Sequence, residues 1–229
     1  MSVYLLEQAA AALGPLCAEV VFLGGASIAL WMTDPGAPAP RPTKDVDVVV
    51  DIASRLAYEQ FSERMRAQGF AEDSSSAVIC RWRHASRGLL LDAMPVDPAI
   101  LVLANRWHAA AVVHADTRTL PSGASIRAAT PPFLLATKLE AFSDRGRSDP
   151  RASRDLEDIV TLLDTRAELM RETDAAPADV RAYIAAQLVE LQKTRDFLTI
   201  LAGMLRPDDA SQARLEVIVL PRLRELAAS

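Results

Sequence analysis

The segment 45–52 reads DVDVVVDI, and it limits the fold more than any other stretch of the chain. Its run of valines reads as a strand. Side chains alternate along a strand, so Asp45 and Asp47 share one face while Val46, Val48 and Val50 face a core on the other. Two carboxylates so close repel each other. At an effective dielectric of about 20, like charges some 4 Å apart cost roughly 4 kcal/mol. A chain that keeps both ionised usually has a divalent cation to hold. Hard oxygen ligands of this kind suit Mg²⁺, which takes one or two protein carboxylates together with phosphate oxygens.

A second short apolar run, 20–23 (VVFL), precedes this strand and ends in Gly24-Gly25. The glycines turn the chain, and a helix follows over 26–32 (ASIALWM). Free backbone N–H groups and the dipole at such a start favour phosphate. Between the two strands, 34–42 (DPGAPAPRP) holds four prolines and a glycine and reads as a loop. A third carboxylate, Asp92, closes the apolar run 89–91 in LLLDAMPVD. An uncompensated charge at the end of a buried strand is costly, so Asp92 joins the candidates for the same site.

Other segments complete an α+β outline. Helices are expected at 3–13 and at 54–68, the latter with Leu56, Phe61 and Met65 on one face and Gly69 as its C-terminal cap. Residues 78–84 and 89–96 read as antiparallel strands joined by a turn at 86–88, and 125–128 as a strand after the turn at Pro121-Ser122-Gly123. Residues 100–103 fit a short strand or turn, and 106–113 fit a helix or a strand. From Pro131-Pro132 onward the chain is helical: 133–142, 155–164, one long helix over 178–205, and a last helix over 212–228 broken at Pro221. The division falls near residue 129, giving an αβ domain at 1–129 and a helical domain at 130–229.

Composition excludes several classes. The 229 residues are 50% hydrophobic and 24% charged, with net charge −5, so the molecule as a whole does not attract nucleic acid, although local patches can. No apolar run reaches membrane-spanning length, and no secretory signal opens the chain. Cys17 and Cys80 form no metal or redox spacing and read as reduced, buried thiols of a cytoplasmic protein. His84, His108 and His114 form no zinc signature. Trp107 and His108 read as packing and surface residues. The 25 basic residues include only three lysines, so Lys44 and Lys138 stand out. The loop 144–154 (DRGRSDPRASR) gathers Arg145, Arg147 and Arg151, either to keep the loop solvated or to face a triphosphate or RNA backbone.

In order, these pieces are a glycine-rich helix start, Arg41-Pro42-Thr43-Lys44-Asp45-Val46-Asp47, and Asp92. They resemble the polymerase-β-type nucleotidyltransferase fold, a mixed sheet with flanking helices. The later segments Ala136-Thr137-Lys138-Leu139-Glu140-Ala141-Phe142, Arg145-Gly146-Arg147 and Ser153-Arg154-Asp155-Leu156-Glu157-Asp158-Ile159 resemble the motifs of AbiEii-type, MenT-like toxins of bacterial type IV toxin–antitoxin systems. Matched segments run from about Phe22 to Asp164, and the helices after about 175 match nothing specific. Two departures stand out: Arg154 occupies a place where many members have Lys, and Ala26-Ser27 is a shifted form of Gly-Ser.

The resemblance implies roles. Asp45, Asp47 and Asp92 would be metal ligands, for Mg²⁺ or Mn²⁺. Gly24, Gly25, Ser27, Thr43, Lys138, Arg145 and Asp155 would surround the nucleotide, and Lys138 and Asp158, from the helical half, would complete the catalytic set. The implied activity moves a nucleoside monophosphate from an NTP to an acceptor hydroxyl, with the tRNA 3′ end favoured and an antitoxin from the adjacent gene as partner. Two other readings stay open at this point: a transferase acting on a small molecule or protein, and an inert nucleotide-binding regulator.

Overall fold

The computed structural model describes residues 2–52, 54–97, 99–100 and 105–228. They form two units: Met1–Leu30 with Arg41–Thr130, and Trp31–Pro40 with Pro131–Ser229. The loop segment 31–40, which the sequence assigns to the first half, therefore belongs with the second.

The first unit opens with α1 (Ser2–Leu13), which buries Leu6, Ala9 and Leu13. Gly14-Pro15 ends it, and a 3₁₀ stretch leads into β1 (Val20–Leu23), buried at all four positions. The glycines then start α2 (Gly24–Ser27), a single turn that tightens to 3₁₀ and stops at Leu30. This is shorter than the helix expected over 26–32. Next come β2 (Asp45–Val50) and α3 (Arg55–Ala67). Ser54 caps α3 by accepting from the Ala57 N–H at 3.2 Å, and Gly69 leaves it at φ +89°, the left-handed exit that glycine takes without strain. Phe61 and Met65 are buried as the periodicity requires, whereas Leu56 is 65% exposed in the first turn. The unit continues through β3 (Phe70–Glu72), β4 (Arg81–His84), β5 (Leu90–Pro95), α4 (His108–Val113), β6 (Asp116–Thr119) and β7 (Ser125–Ala128). Residues 106–113 thus resolve in favour of helix. Of the expected strand or turn at 100–103, residues 101–103 lie outside the described residues.

Among the described residues these strands form one seven-stranded sheet in the order β3-β4-β5-β2-β1-β7-β6. β2 runs parallel to β5 and β1 parallel to β7; the other neighbours are antiparallel. β3 and β6, which the sequence did not signal, are the two edge strands. Each is short and mostly exposed, so neither carries an apolar alternation to read.

The second unit is helical: α5 (Pro131–Ala141), α6 (Arg154–Thr165), α7 (Leu169–Asp174), α8 (Ala178–Gln192), α9 (Phe197–Gly203), α10 (Asp209–Arg214) and α11 (Leu220–Ala227). The single helix expected over 178–205 is two. The chain leaves α8 at Lys193, and Asp196 adopts φ +59°, which interrupts the i→i−4 ladder before Phe197. The last helix breaks as expected at Pro221, with a π-type turn over Leu215–Val219 ahead of the residue that cannot donate. Backbone bonds and arginines bind 31–40 to these helices. The N–H groups of Thr33 and Asp34 donate to the Thr165 carbonyl at 3.0 and 3.1 Å, and Arg214 joins Asp34 to Asp164 at 2.7 and 2.6 Å. Arg166 stacks on Trp31 at 5.6 Å and donates to its carbonyl. No described helix is long and apolar enough to cross a membrane.

Candidate functional site

Strand register builds an acidic row in the first unit. β1, β2, β5 and β4 pair so that Leu23 lies opposite Asp47, Asp47 opposite Asp92, and Asp92 opposite Arg81. Directly paired residues of neighbouring strands project to the same face, and Asp45 joins that face two residues before Asp47. The opposite face is sealed by Val46, Val48 and Val50. All three predicted carboxylates therefore share one side of the sheet, with a fourth member, Arg81, that the sequence reading did not single out.

Arg81 reaches over that face. Its Nε donates to Asp92 Oδ1 and its Nη2 to Asp92 Oδ2, both at 2.7 Å, and the same Nη2 donates to Asp45 Oδ2 at 2.5 Å. The Asp92 side chain is 7% exposed and that of Arg81 17%. The hydrogen bond to Asp92 is the main reason the guanidinium is held even more firmly protonated than an ordinary arginine; burial opposes this, and the charges of Asp92 and Asp45 add to it. Thr43 fixes the neighbouring carboxylate by donating to the carbonyl of Asp45 at 3.0 Å and to its Oδ1 at 3.1 Å. Cys80, beside the cluster, is buried, and burial followed by the charges of Asp92 and Asp47 pushes its thiol up to about 12. Cys17 is only half-buried, against the expectation of two buried thiols.

Gly24 touches the same row. It has φ +72°, and a Cβ added there would lie 1.9 Å from Asp47 Oδ2. The glycine is needed for this close approach as well as for the turn. α2 is one turn long, so its dipole is small, and Ser27 is fully buried with its hydroxyl donating to the Leu23 carbonyl at 2.8 Å. The side chain of Ser27 is committed within its own helix, as Ser often is one turn beyond a carbonyl.

The donor set fits the divalent cation that the resemblance implies. The oxygens are hard, they share one face, and a cation, the Arg81 guanidinium, is already drawn to Asp45 and Asp92. Among the described residues no three carboxylate, imidazole or thiol groups meet at a point that could hold a metal ion. At this cluster Arg81 takes the oxygens that such an ion would use.

The second unit holds its own buried charge cluster. Ser153 caps α6 through the Leu156 N–H, and Asp155 and Asp158 then stand three residues apart on one helix face. Lys138 of α5 meets both, at 3.2 Å to Asp155 Oδ1 and 2.6 Å to Asp158 Oδ2. Arg145 grips Asp155 from the other side, Nε to Oδ2 at 2.8 Å and Nη2 to Oδ1 at 3.1 Å. Burial works to raise the Asp155 carboxyl, but the Lys138 charge and the Arg145 hydrogen bond outweigh it and hold it below the usual range. Gly146 lets the chain turn here, since a Cβ would fall 2.4 Å from Phe142 Cδ2 and 2.7 Å from Ser153 Oγ. Two further loop arginines have partners within the unit: Arg147 donates to Gln187 at 3.3 Å, and Arg151 lies 3.8 Å from Asp196. Trp107 and His108, in the first unit, are both buried, and burial lowers His108 to about 4, so it is a packing residue but not a surface one.

A search of curated proteins finds no significant match. A family model described as "Nucleotidyl transferase AbiEii toxin, Type IV TA system" matches residues 95–227. The match contains Lys138, Arg145, Asp155 and Asp158, and it takes in the final helices that sequence reading alone could not place. Gly24, Asp45, Asp47 and Asp92 precede it, so their assignment rests on the geometry above and on the sequence resemblance. The match spans more than half of the 229 residues, and the chain belongs to the AbiEii family of nucleotidyl transferase toxins of type IV toxin–antitoxin systems.

Proposed function

We propose that the chain transfers a nucleoside monophosphate from an NTP to the 3′ end of tRNA in the bacterial cytoplasm, using a divalent cation, and that an antitoxin from the adjacent gene restrains it. The single observation that carries this reading is the alignment of Asp45, Asp47 and Asp92 on one sheet face beside Gly24, in a chain of a nucleotidyl transferase family.

Asp45 and Asp47, with Asp92 where Arg81 gives way, are the residues that would hold Mg²⁺. The ion supplies Lewis-acid activation of the acceptor hydroxyl and offsets charge on the transferred phosphate. The protein's own contribution is placement. Thr43 fixes the rotamer of Asp45, and Gly24, lacking a Cβ, lets the Asp47 carboxylate pack against its backbone. Backbone N–H groups at Gly24-Gly25 are the phosphate donors, in place of the committed Ser27 hydroxyl. Lys138, held by Asp155 and Asp158, takes the role of phosphate cation. Arg145 braces Asp155. No covalent enzyme intermediate is needed.

The test is incubation of purified protein with total tRNA, Mg²⁺ and each α-labelled NTP in turn. Label should appear on tRNA with the wild type and vanish with Asp45→Ala, whose fold is checked by circular dichroism. Undiminished labelling by that variant removes the site assignment. Label on a small molecule or protein but never on RNA replaces the acceptor. Binding of Mg·NTP with no transfer to any acceptor turns the protein into a nucleotide-binding regulator.

A further inference from the structure

Three carboxylates and one guanidinium share the acidic face, and the guanidinium holds two of the three. Its Nη2 touches one oxygen of Asp45 and one of Asp92, and its Nε closes a fork on Asp92. The fork is the strongest geometry that an arginine offers to a carboxylate. It is also sheltered, since neither Arg81 nor Asp92 exposes more than 17% of its side chain. A cation arriving at Asp45 and Asp92 meets a like charge that is already satisfied there. It must displace charge-assisted hydrogen bonds and then tolerate the repulsion of the displaced guanidinium nearby.

We propose that Arg81 is a resident counter-cation that competes with the divalent ion for Asp45 and Asp92. It offsets part of the acidic row's charge while no ion is present, which lowers the carboxylate repulsion in the closed sheet, and it sets the affinity for the ion by having to leave. Arg81 is in this sense a positioning residue, acting through the two carboxylates. The inference rests on the proposed divalent-cation reading of the same cluster, and its test separates the two.

The experiment is a Mn²⁺ titration without nucleotide, followed by the electron paramagnetic resonance signal of free Mn²⁺, on the wild type, Arg81→Gln and Arg81→Lys. Arg81→Gln should bind Mn²⁺ about tenfold or more tightly than the wild type, because it keeps much of the side-chain bulk and removes the charge. Arg81→Lys keeps the charge and should stay within about threefold of the wild type. Equal or weaker binding by Arg81→Gln overturns the proposal and leaves the divalent site standing. No binding by the wild type or by the variants removes the divalent site and this inference with it. Should Arg81→Gln fail to fold, the wild type itself decides. The ¹⁵N-resolved Nε–H resonance of Arg81, assigned by its loss in Arg81→Lys, must shift or lose its exchange protection as Mg²⁺ saturates the protein. A resonance unmoved by bound Mg²⁺ overturns the proposal.

Discussion

Arg81 lays Nε and Nη2 across the two carboxylate oxygens of Asp92, each at 2.7 Å, from a strand directly paired with it. Removing one member leaves the other charge partly buried. Asp92→Ala should therefore destabilise the protein by about 1.5–3 kcal/mol, the range for hydrogen bonds to charged groups, with Asp45 retaining part of the guanidinium. The double variant Arg81→Met with Asp92→Leu should cost less than Asp92→Ala alone, because both members of the buried fork go together and only the more exposed Asp45 loses the guanidinium. Urea unfolding of the three proteins measures both statements.

Gly24 and Asp47 form a second coupled pair. Gly24→Ala meets a left-handed φ and a carboxylate oxygen 1.9 Å from the new Cβ. We expect a loss of about 2–4 kcal/mol in the wild-type background, at the severe end for one substitution. In an Asp47→Gly background, which removes the Cβ at 2.9 Å as well as the carboxylate, the clash disappears and only the backbone cost of about 1–2 kcal/mol remains. A double-mutant cycle by denaturant unfolding reads the difference; equal costs in both backgrounds would place the strain elsewhere.

Lys138 is the cation between two buried carboxylates. Lys138→Met should cost about 3 kcal/mol, at the lower end for breaking a buried pair, since Arg145 still holds Asp155. It should also abolish nucleotide transfer at temperatures where the variant remains folded. Thermal unfolding and the tRNA-labelling assay, run on the same preparation, separate the two effects.

Acid sensitivity should trace to Asp155. Its folded carboxyl is held below the usual range, so its contribution to stability is fully present above the unfolded value of about 3.9 and is lost as pH falls through the lower folded value. The melting temperature should fall as pH drops below about 4. Asp155→Asn should be less stable at neutral pH and should show a flatter acid limb. An acid limb as steep in the variant as in the wild type would assign the titration to another group.

Much of the fold was legible. The valine alternation of 45–50 gave β2 and its sealed face, and Ser54 and Gly69 framed α3 as capping chemistry requires. The edge strands β3 and β6 were not legible, because their exposed residues carry no periodic burial. Nor was the break between α8 and α9: the apolar spacing of Val180, Ile184, Leu188 and Leu191 continues plausibly past residue 192, and only the left-handed turn at Asp196 ends it. Arg81 was nearly within reach. The sequence placed the β4–β5 turn at 86–88, and the observed pairing of Arg81 with Asp92 is centred on Ser86-Arg87. A shift of one residue in such a turn reassigns every partner.

The chain's own order of residues determined which carboxylates exist, that Asp45 and Asp47 share a face, and that lysine 138 and the acids of 155–158 sit on neighbouring helices. These are local matters of strand and helix period. Only the tertiary structure decided that Asp92 stands level with Asp47, that Arg81 bridges Asp92 and Asp45, and that Gly24 must be bare to let Asp47 in. Those relations depend on the register between strands far apart in sequence, which is settled by how whole faces pack and not by any one segment.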